Sequence, residues 1–355
     1  MTDRARVAVI GTGWWATYTH IPGLLDYPAT ELVAIADRDP QRLEAAAEAY
    51  GVARVYKDYR AMLDRETLDG VIVATPHATH FAIARDCLDR GLHVLVEKPL
   101  TLHASEAREL VRLAQARDRE LLVGYPYNLQ PQALRAREVL AAGLLGAVQY
   151  INCTMSSRII ELLRADSDPE RAIGKPPVNG PGAVYSDPVL SGGGQGHLQL
   201  THPLGLLTFV TGLRAERVQA RMRNHGLPLD LIDAMIVEFD GGALGTVGGT
   251  GNSYVAKVAL QIHCERGGID LDITEEMLVI RREGAEEERL GPQERPREAR
   301  FSTARNLVDL INGTAPNGSP GETGWRAVEI LDAAYRSVAL DGASVAISSL
   351  YDEAQ

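Results

Sequence analysis

Short, nearly continuous apolar runs punctuate the first third of this chain: Val7-Ala8-Val9-Ile10, Leu32-Val33-Ala34-Ile35, Val71-Ile72-Val73-Ala74, Val94-Leu95-Val96 and Leu121-Leu122-Val123. A strand buried on both faces reads this way, and such strands belong to parallel sheets covered by helices on either side. Helix-length segments separate the runs. One opens at Asp39-Pro40, with the acid as N-cap and the proline in the first helical position, and stops at Gly51. This alternation predicts a doubly wound parallel α/β sheet, a Rossmann-type fold. The Val94–Val96 run ends abruptly in Glu97-Lys98-Pro99. Pro99 cannot extend a central strand and biases Lys98 toward an extended backbone, so the lysine falls at the carboxyl edge of the sheet. Ligands bind at that edge in sheets of this kind.

The turn after the first run, Gly11-Thr12-Gly13-Trp14-Trp15-Ala16, fits G-x-G-x-x-A. The first glycine permits the tight turn, the second lets the backbone approach a pyrophosphate, and the small third residue packs helix on strand. The helix start supplies N–H groups and positive potential. Asp37 ends the second run about twenty positions further on, where a ribose-binding carboxylate is expected. Such an acid accepts from ribose hydroxyls and repels a 2′-phosphate, which favours NAD. Arg38 beside it can stack on adenine or pair with a phosphate, so NADP stays open. The backbone N–H groups of Trp14 and Trp15 face the expected pyrophosphate.

After about Gly146 the pattern changes. Val148 to Thr154 alternates in strand fashion, and a proline- and glycine-rich excursion follows from about Asp166 to Gly194. Long irregular segments inside compact domains are more often functional than disordered. Gly192 to Leu213 carries no charge but includes Gln195, His197, Gln199 and His202, which reads as a buried helix with a functional face. Six further strand candidates between Arg217 and Arg282, with turns at Asp240-Gly241-Gly242 and Arg266-Gly267-Gly268, predict a large, open, mostly antiparallel sheet. Gly284 to Arg300 reads as a charged, solvated loop, and two closing helices follow. Two domains result: residues 1–126, the dinucleotide-binding Rossmann domain, and residues 127–355, an α+β domain for substrate binding and oligomerisation.

At 355 residues the chain exceeds one ordinary core, and 45% apolar residues argue against disorder. A net charge of −11 argues against nucleic acid, and the polar residues of the uncharged stretch argue against a membrane span. Cys87, Cys153 and Cys264 are scattered among apolar residues, which suggests reduced thiols in a cytoplasmic protein and no metal site. The first residues run straight into a strand, without the pattern of a signal peptide.

Together, Gly11-Thr12-Gly13, Asp37, Thr75-Pro76-His77-Ala78-Thr79-His80, Glu97-Lys98-Pro99 and the Gly192-to-His202 region resemble the Gfo/Idh/MocA oxidoreductases. The resemblance spans nearly the whole chain, and Glu-Lys-Pro at a strand end is its most specific part. It implies an NAD(P)-dependent enzyme acting on CH–OH groups, with Lys98 as the catalytic base that also orients substrate. Thr75, Pro76, Glu97 and His80 would line the cofactor, His80 having a helix-surface position as its alternative. His202 falls at the family's active-site histidine. Tyr185 in the excursion and Gln199 beside His202 would touch substrate. The resemblance also implies a homodimer or homotetramer formed through the open sheet. One departure stands out: the family places an aspartate four residues before the histidine, and Leu198 stands there. The non-titrating Gln199 is the nearest polar neighbour, so Lys98 is expected to carry more of the acid–base work.

The leading expectation is hydride transfer between nicotinamide and a secondary alcohol or ketone of a sugar, glycoside or cyclitol. An alternative is a glycosidase that retains its cofactor, oxidises transiently, eliminates the aglycone and re-reduces; it would turn over without net NADH. A non-catalytic nucleotide sensor is the third reading, and an intact Glu97-Lys98-Pro99 weighs against it.

Overall fold

The computed structural model describes residues 4–166, 168–292 and 301–354, so part of the expected Gly284–Arg300 loop lies outside the described residues. Six strands form the first sheet: β1 (Ala5–Ile10), β2 (Thr30–Ala36), β3 (Val55–Tyr56), β4 (Gly70–Val73), β5 (His93–Val96) and β6 (Leu121–Val123). They run parallel in the order β3-β2-β1-β4-β5-β6. This is the doubly wound order, and its reversal between β1 and β4 opens a crevice at their carboxyl ends. Period-two geometry sorts each strand between two cores. Ala8, Ile10, Val94 and Val96 face one core, while Val7, Val9 and Leu95 face the other, where Leu43, Leu307 and Val308 meet them.

The second sheet has nine strands: β7 (Val148–Arg158), β8 (Ala215–Arg223), β9 (Ile232–Phe239), β10 (Leu244–Thr250), β11 (Asn252–Cys264), β12 (Gly267–Asp272), β13 (Met277–Arg282), β14 (Glu288–Leu290) and β15 (Val345–Ala346). Their order is β14-β13-β12-β11-β7-β10-β9-β8-β15. Only β7 and β10 pair in parallel; the other neighbours are antiparallel. Alternation of buried and exposed residues along β9, and along β8 from Val218 onward, shows that one face is covered and one open. Helices Thr201–Thr211 and Gly321–Ala339 cover the inner face and join its core to that of the first sheet. Tyr150, Ile236 and Leu244 stud the open face.

The chain does not stay in its second half. Helix Ser302–Ile311 returns to pack on the first sheet, and Ser319 accepts a hydrogen bond from the Val123 N–H at the edge of β6. The uncharged stretch also differs in detail from one helix. Gly192 to Gly194 form a turn, Gln195 caps a π-helical turn at Gly196–Leu200, and the α-helix begins only at Thr201. Cys87, Cys153 and Cys264 are buried with free thiols. No helix among the described residues is long and apolar enough to cross a membrane.

Gly11 shows why the fold needs glycine at the β1 turn. Its φ of +93° lies in the region that favours glycine, and a Cβ there would collide with the carbonyl of Ala74. Gly11→Ala is expected to cost roughly 1–3 kcal/mol in urea denaturation and to weaken dinucleotide affinity. Unchanged stability together with unchanged affinity would refute this account of the turn.

Candidate active site

At the β1 edge, the Asp37 carboxylate faces the glycine turn. One oxygen accepts from the Thr12 N–H (2.7 Å) and hydroxyl (3.0 Å), and the other accepts from the Asp39 N–H (2.9 Å). Arg38 is exposed. The chain is helical from residue 14 to 25, with a π-helical turn at Ala16–His20. Trp14, Trp15 and Tyr18 cluster at its start, with the indoles edge to face at 5.5 Å. Pro22 lacks the N–H that would continue a regular i→i−4 ladder. Insertions of this kind are frequent at functional sites.

Glu97 directly follows β5 and is almost fully buried. Its carboxylate accepts from the Trp15 indole N–H (2.9 Å), His20 Nε2 (2.8 Å) and the Lys98 backbone N–H (3.1 Å). Burial alone would raise its pKa, but the His20 hydrogen bond and charge, with the Lys98 ammonium, hold it below the usual carboxylate range. Gly124 on the neighbouring strand end leaves the room: a Cβ there would sit 2.6 Å from Glu97 Oε1. The Lys98–Pro99 peptide is cis.

The Lys98 ammonium donates to the backbone carbonyl of Leu198 at 2.8 Å, across from the second half of the chain. Burial lowers its pKa to about 8, against the opposing pull of Glu97. Leu198 can accept this bond because Pro203, five residues on, has no N–H to close a π-type bond back to it. His202 lies in the same stretch, with its ring 5.4 Å from Tyr127 and 6.2 Å from Tyr125. Burial, and then the Lys98 charge, hold its pKa well below the ordinary histidine value, so the ring is neutral. Gln199 is half-buried beside it.

The other sequence candidates separate by environment. His80 is buried, and both of its ring nitrogens lie 2.8 Å from backbone carbonyls, those of Pro99 and Thr75. Burial lowers its pKa although both carbonyls favour the protonated ring. It therefore braces the Thr75-Pro76 turn against the Lys98-Pro99 turn. His77 Nδ1 meets the Ser191 carbonyl at 2.9 Å, and its ring lies 6.0 Å from that of Tyr185. His197 stacks on Tyr335 at 4.6 Å, and burial pulls its pKa to about 4. Gln195 is fully buried and donates to the Met155 carbonyl.

Sequence reading missed Asp230. Its carboxylate accepts from the N–H groups of Gly194 (2.7 Å) and Gly196 (2.8 Å) and from the Tyr335 hydroxyl (2.9 Å), while its carbonyl accepts from Gln195. One side chain thus pins the glycine turn from which Leu198 and His202 are presented. Nothing local marks it, since the contact spans more than thirty residues. His20 was missed for the same reason.

A glycine turn facing a strand-end acid, with a lysine of lowered pKa at the same sheet edge, defines a dinucleotide-binding Rossmann protein of two parts. The residues suit that ligand: Gly13 leaves its backbone open, with only the Arg42 guanidinium near where a Cβ would be, at 3.5 Å. The family model described as "Oxidoreductase family, NAD-binding Rossmann fold" matches residues 5–125, and the GFO/IDH/MocA C-terminal domain matches residues 133–270. The chain belongs to the Gfo/Idh/MocA oxidoreductase family. It is 34% identical to the inositol 2-dehydrogenase of Rubrobacter xylanophilus over 148 residues, covering 41% of this chain and 42% of that protein. It is 34% identical over 151 residues to D-xylose 1-dehydrogenase (NADP(+)) 2 of Haloferax volcanii, covering 42% and 46%. The chain thus matches less than half the length of these curated relatives. Its fold resembles that of an inositol dehydrogenase homolog from Azotobacter vinelandii complexed with NADH and myo-inositol, with a TM-score of 0.80, 22% identity and 98% of both chains covered.

Asp230→Ala strands two buried N–H groups and the Tyr335 hydroxyl. It is expected to destabilise the protein by roughly 2–3 kcal/mol and to lower turnover about tenfold or more. Dinucleotide affinity, set at the other sheet, should stay within about twofold. Denaturation, steady-state kinetics and dinucleotide titration on the same preparation check this, and an intact turnover number would contradict it.

Proposed function

We propose that the protein transfers a hydride between a nicotinamide dinucleotide and a secondary alcohol or ketone of a sugar, glycoside or cyclitol. The observation that carries this reading is Lys98. An amine with its pKa lowered to about 8 sits at the carboxyl edge of the dinucleotide-binding sheet and reaches the π-helical turn that leads into the helix bearing a neutral histidine. Residues 1–126 would hold the dinucleotide, and residues 127–355 the substrate and the subunit contacts.

The bound nicotinamide supplies the hydride acceptor or donor. The protein's own groups manage the proton and the geometry. Neutral Lys98 keeps one N–H on the Leu198 carbonyl, which directs its lone pair toward the substrate hydroxyl, and it takes that proton as the C–H bond gives up its hydride. In the reverse direction the Lys98 ammonium returns the proton to the carbonyl oxygen. His202, neutral throughout the working range, orients the same oxygen by hydrogen bonding. Lys98 is then the group that titrates, which suits a site where Leu198 occupies the family's aspartate position. Glu97, ionised and held by three donors, fixes the lysine backbone and the Trp15 ring. Thr75 and Pro76 flank the nicotinamide, and Gln199 and Tyr185 contact the substrate.

Asp37 favours NAD over NADP because a 2′-phosphate would meet its charge. The relative named for NADP(+) and the structural neighbour complexed with NADH leave the choice to be measured. A homodimer or homotetramer through the open sheet face, acting in the cytoplasm, completes the reading.

Lys98→Met should cut hydride transfer by about a thousandfold or more while leaving the dinucleotide dissociation constant nearly unchanged. Near-normal activity of that variant with any accepted substrate from a panel of sugars, glycosides and inositols would refute the assignment. The pH dependence follows from the sign of the shift. Oxidation needs unprotonated Lys98, so its kcat/KM should rise with pH and level off above about 8. Reduction needs the ammonium and should fall above the same point. An oxidation profile flat from pH 6.5 to 9.5 would show that another group moves the proton.

A further inference from the structure

The proline- and glycine-rich excursion does not hang free of the first sheet. Within residues 176–192 it touches the dinucleotide cleft at three places. The Asn179 side-chain amide uses both hydrogens, donating to the Thr12 carbonyl (2.6 Å) and to the Arg42 carbonyl (2.9 Å). Gly182, with φ of +60°, lies so close to Arg42 that a Cβ would press on the guanidinium. Ser191 offers its carbonyl to His77, against which Tyr185 also packs. Thr12 belongs to the glycine turn and Arg42 to the first turn of helix Pro40–Tyr50. These two elements flank Asp37 and so enclose the adenosine end of the cleft. Pro176, Pro177 and Pro181 fix φ along the crossing and limit its freedom.

The chemistry of the latch decides what it does. Asn179 takes two carbonyl oxygens, which phosphate oxygens cannot bond. It takes none of the turn's N–H donors, so those of Gly13 and Trp14, beyond the Thr12 N–H that Asp37 holds, stay open to an anionic ligand, and the segment and a dinucleotide do not compete for the same groups. We propose that residues 176–192 form a strap along the dinucleotide cleft, latched over its adenosine end by Asn179, so that bound cofactor leaves only after the latch opens. This rests on the family's dinucleotide site and adds to the proposed reaction a control on cofactor release.

The test is stopped-flow release of NADH, followed by loss of energy transfer from tryptophan when excess NAD⁺ is added to the full-length NADH complex. Asn179→Ala removes both latch bonds, and Asn179→Asp sets a carboxylate against the two carbonyls. Release is expected to accelerate about tenfold in the first variant and further in the second. Gly182→Ala, which pushes the strap off Arg42 from a separate position, should accelerate release in the same direction. Equal release rates in wild type and all three variants overturn the strap. So does faster association with unchanged release, which would mark Asn179 as a block on entry. A wild-type protein that binds neither NADH nor NADPH would bring down the dinucleotide site and the strap with it, whereas tight binding with unchanged release brings down the strap alone.

Discussion

The buried Glu97 carboxylate is the interaction on which the rest of the site depends. A carboxylate taken out of water is costly unless donors replace its hydration. Here the donors come from the helix after the glycine turn, through Trp15 and His20, and from the backbone of Lys98. The compensation that keeps Glu97 ionised therefore also locks the cofactor-facing helix to the strand end that presents the lysine. Neither side can shift without exposing an unsatisfied charge.

Around this anion the cleft is furnished with neutral rings. Burial holds His77, His80 and His202 below their ordinary pKa values, and the Lys98 charge adds to the effect in each case. His20 and Lys98 both face the one anion, while burial keeps the rings on the Lys98 side neutral, so that a single amine titrates near neutrality. The Leu198 carbonyl fits the same scheme. It is a dipole without a net charge, so it orients the amine while favouring the ammonium less than a carboxylate would.

Much of this could be read from the sequence because it is local. The apolar runs gave the parallel strands, and the Gly11–Ala16 spacing located the turn that Asp37 faces. The proline after Lys98 put that residue at the sheet edge. Contacts that join distant segments were invisible for a plain reason: no spacing rule ties Asp230 to Gly194, His20 to Glu97, or Asn179 to Thr12. The π-helical turns were equally hidden. A proline stands in each stretch, Pro22 in one and Pro203 in the other, but a proline does not say whether the chain bends, stops or takes in an extra residue. His197, a polar residue of the same promising stretch, stacks on Tyr335 in the interior, another contact that no spacing rule announces.

The parallel pairing of β7 with β10 has a consequence for how the molecule is made. Strand β7 ends at Arg158, yet both of its neighbours, β10 and β11, begin only after residue 243. During synthesis the central strand of the larger sheet emerges with two unpaired edges, and it stays so while the strap, the π-helical turn and the β8–β9 hairpin are added. Pairings of such sequence separation close slowly because loop entropy must be overcome first. Open edges in the interval invite pairing with other chains. The polar positions along β7, with Gln149, Asn152, Thr154, Ser156 and Ser157 among them, lessen that hazard while the nascent chain waits for its partners.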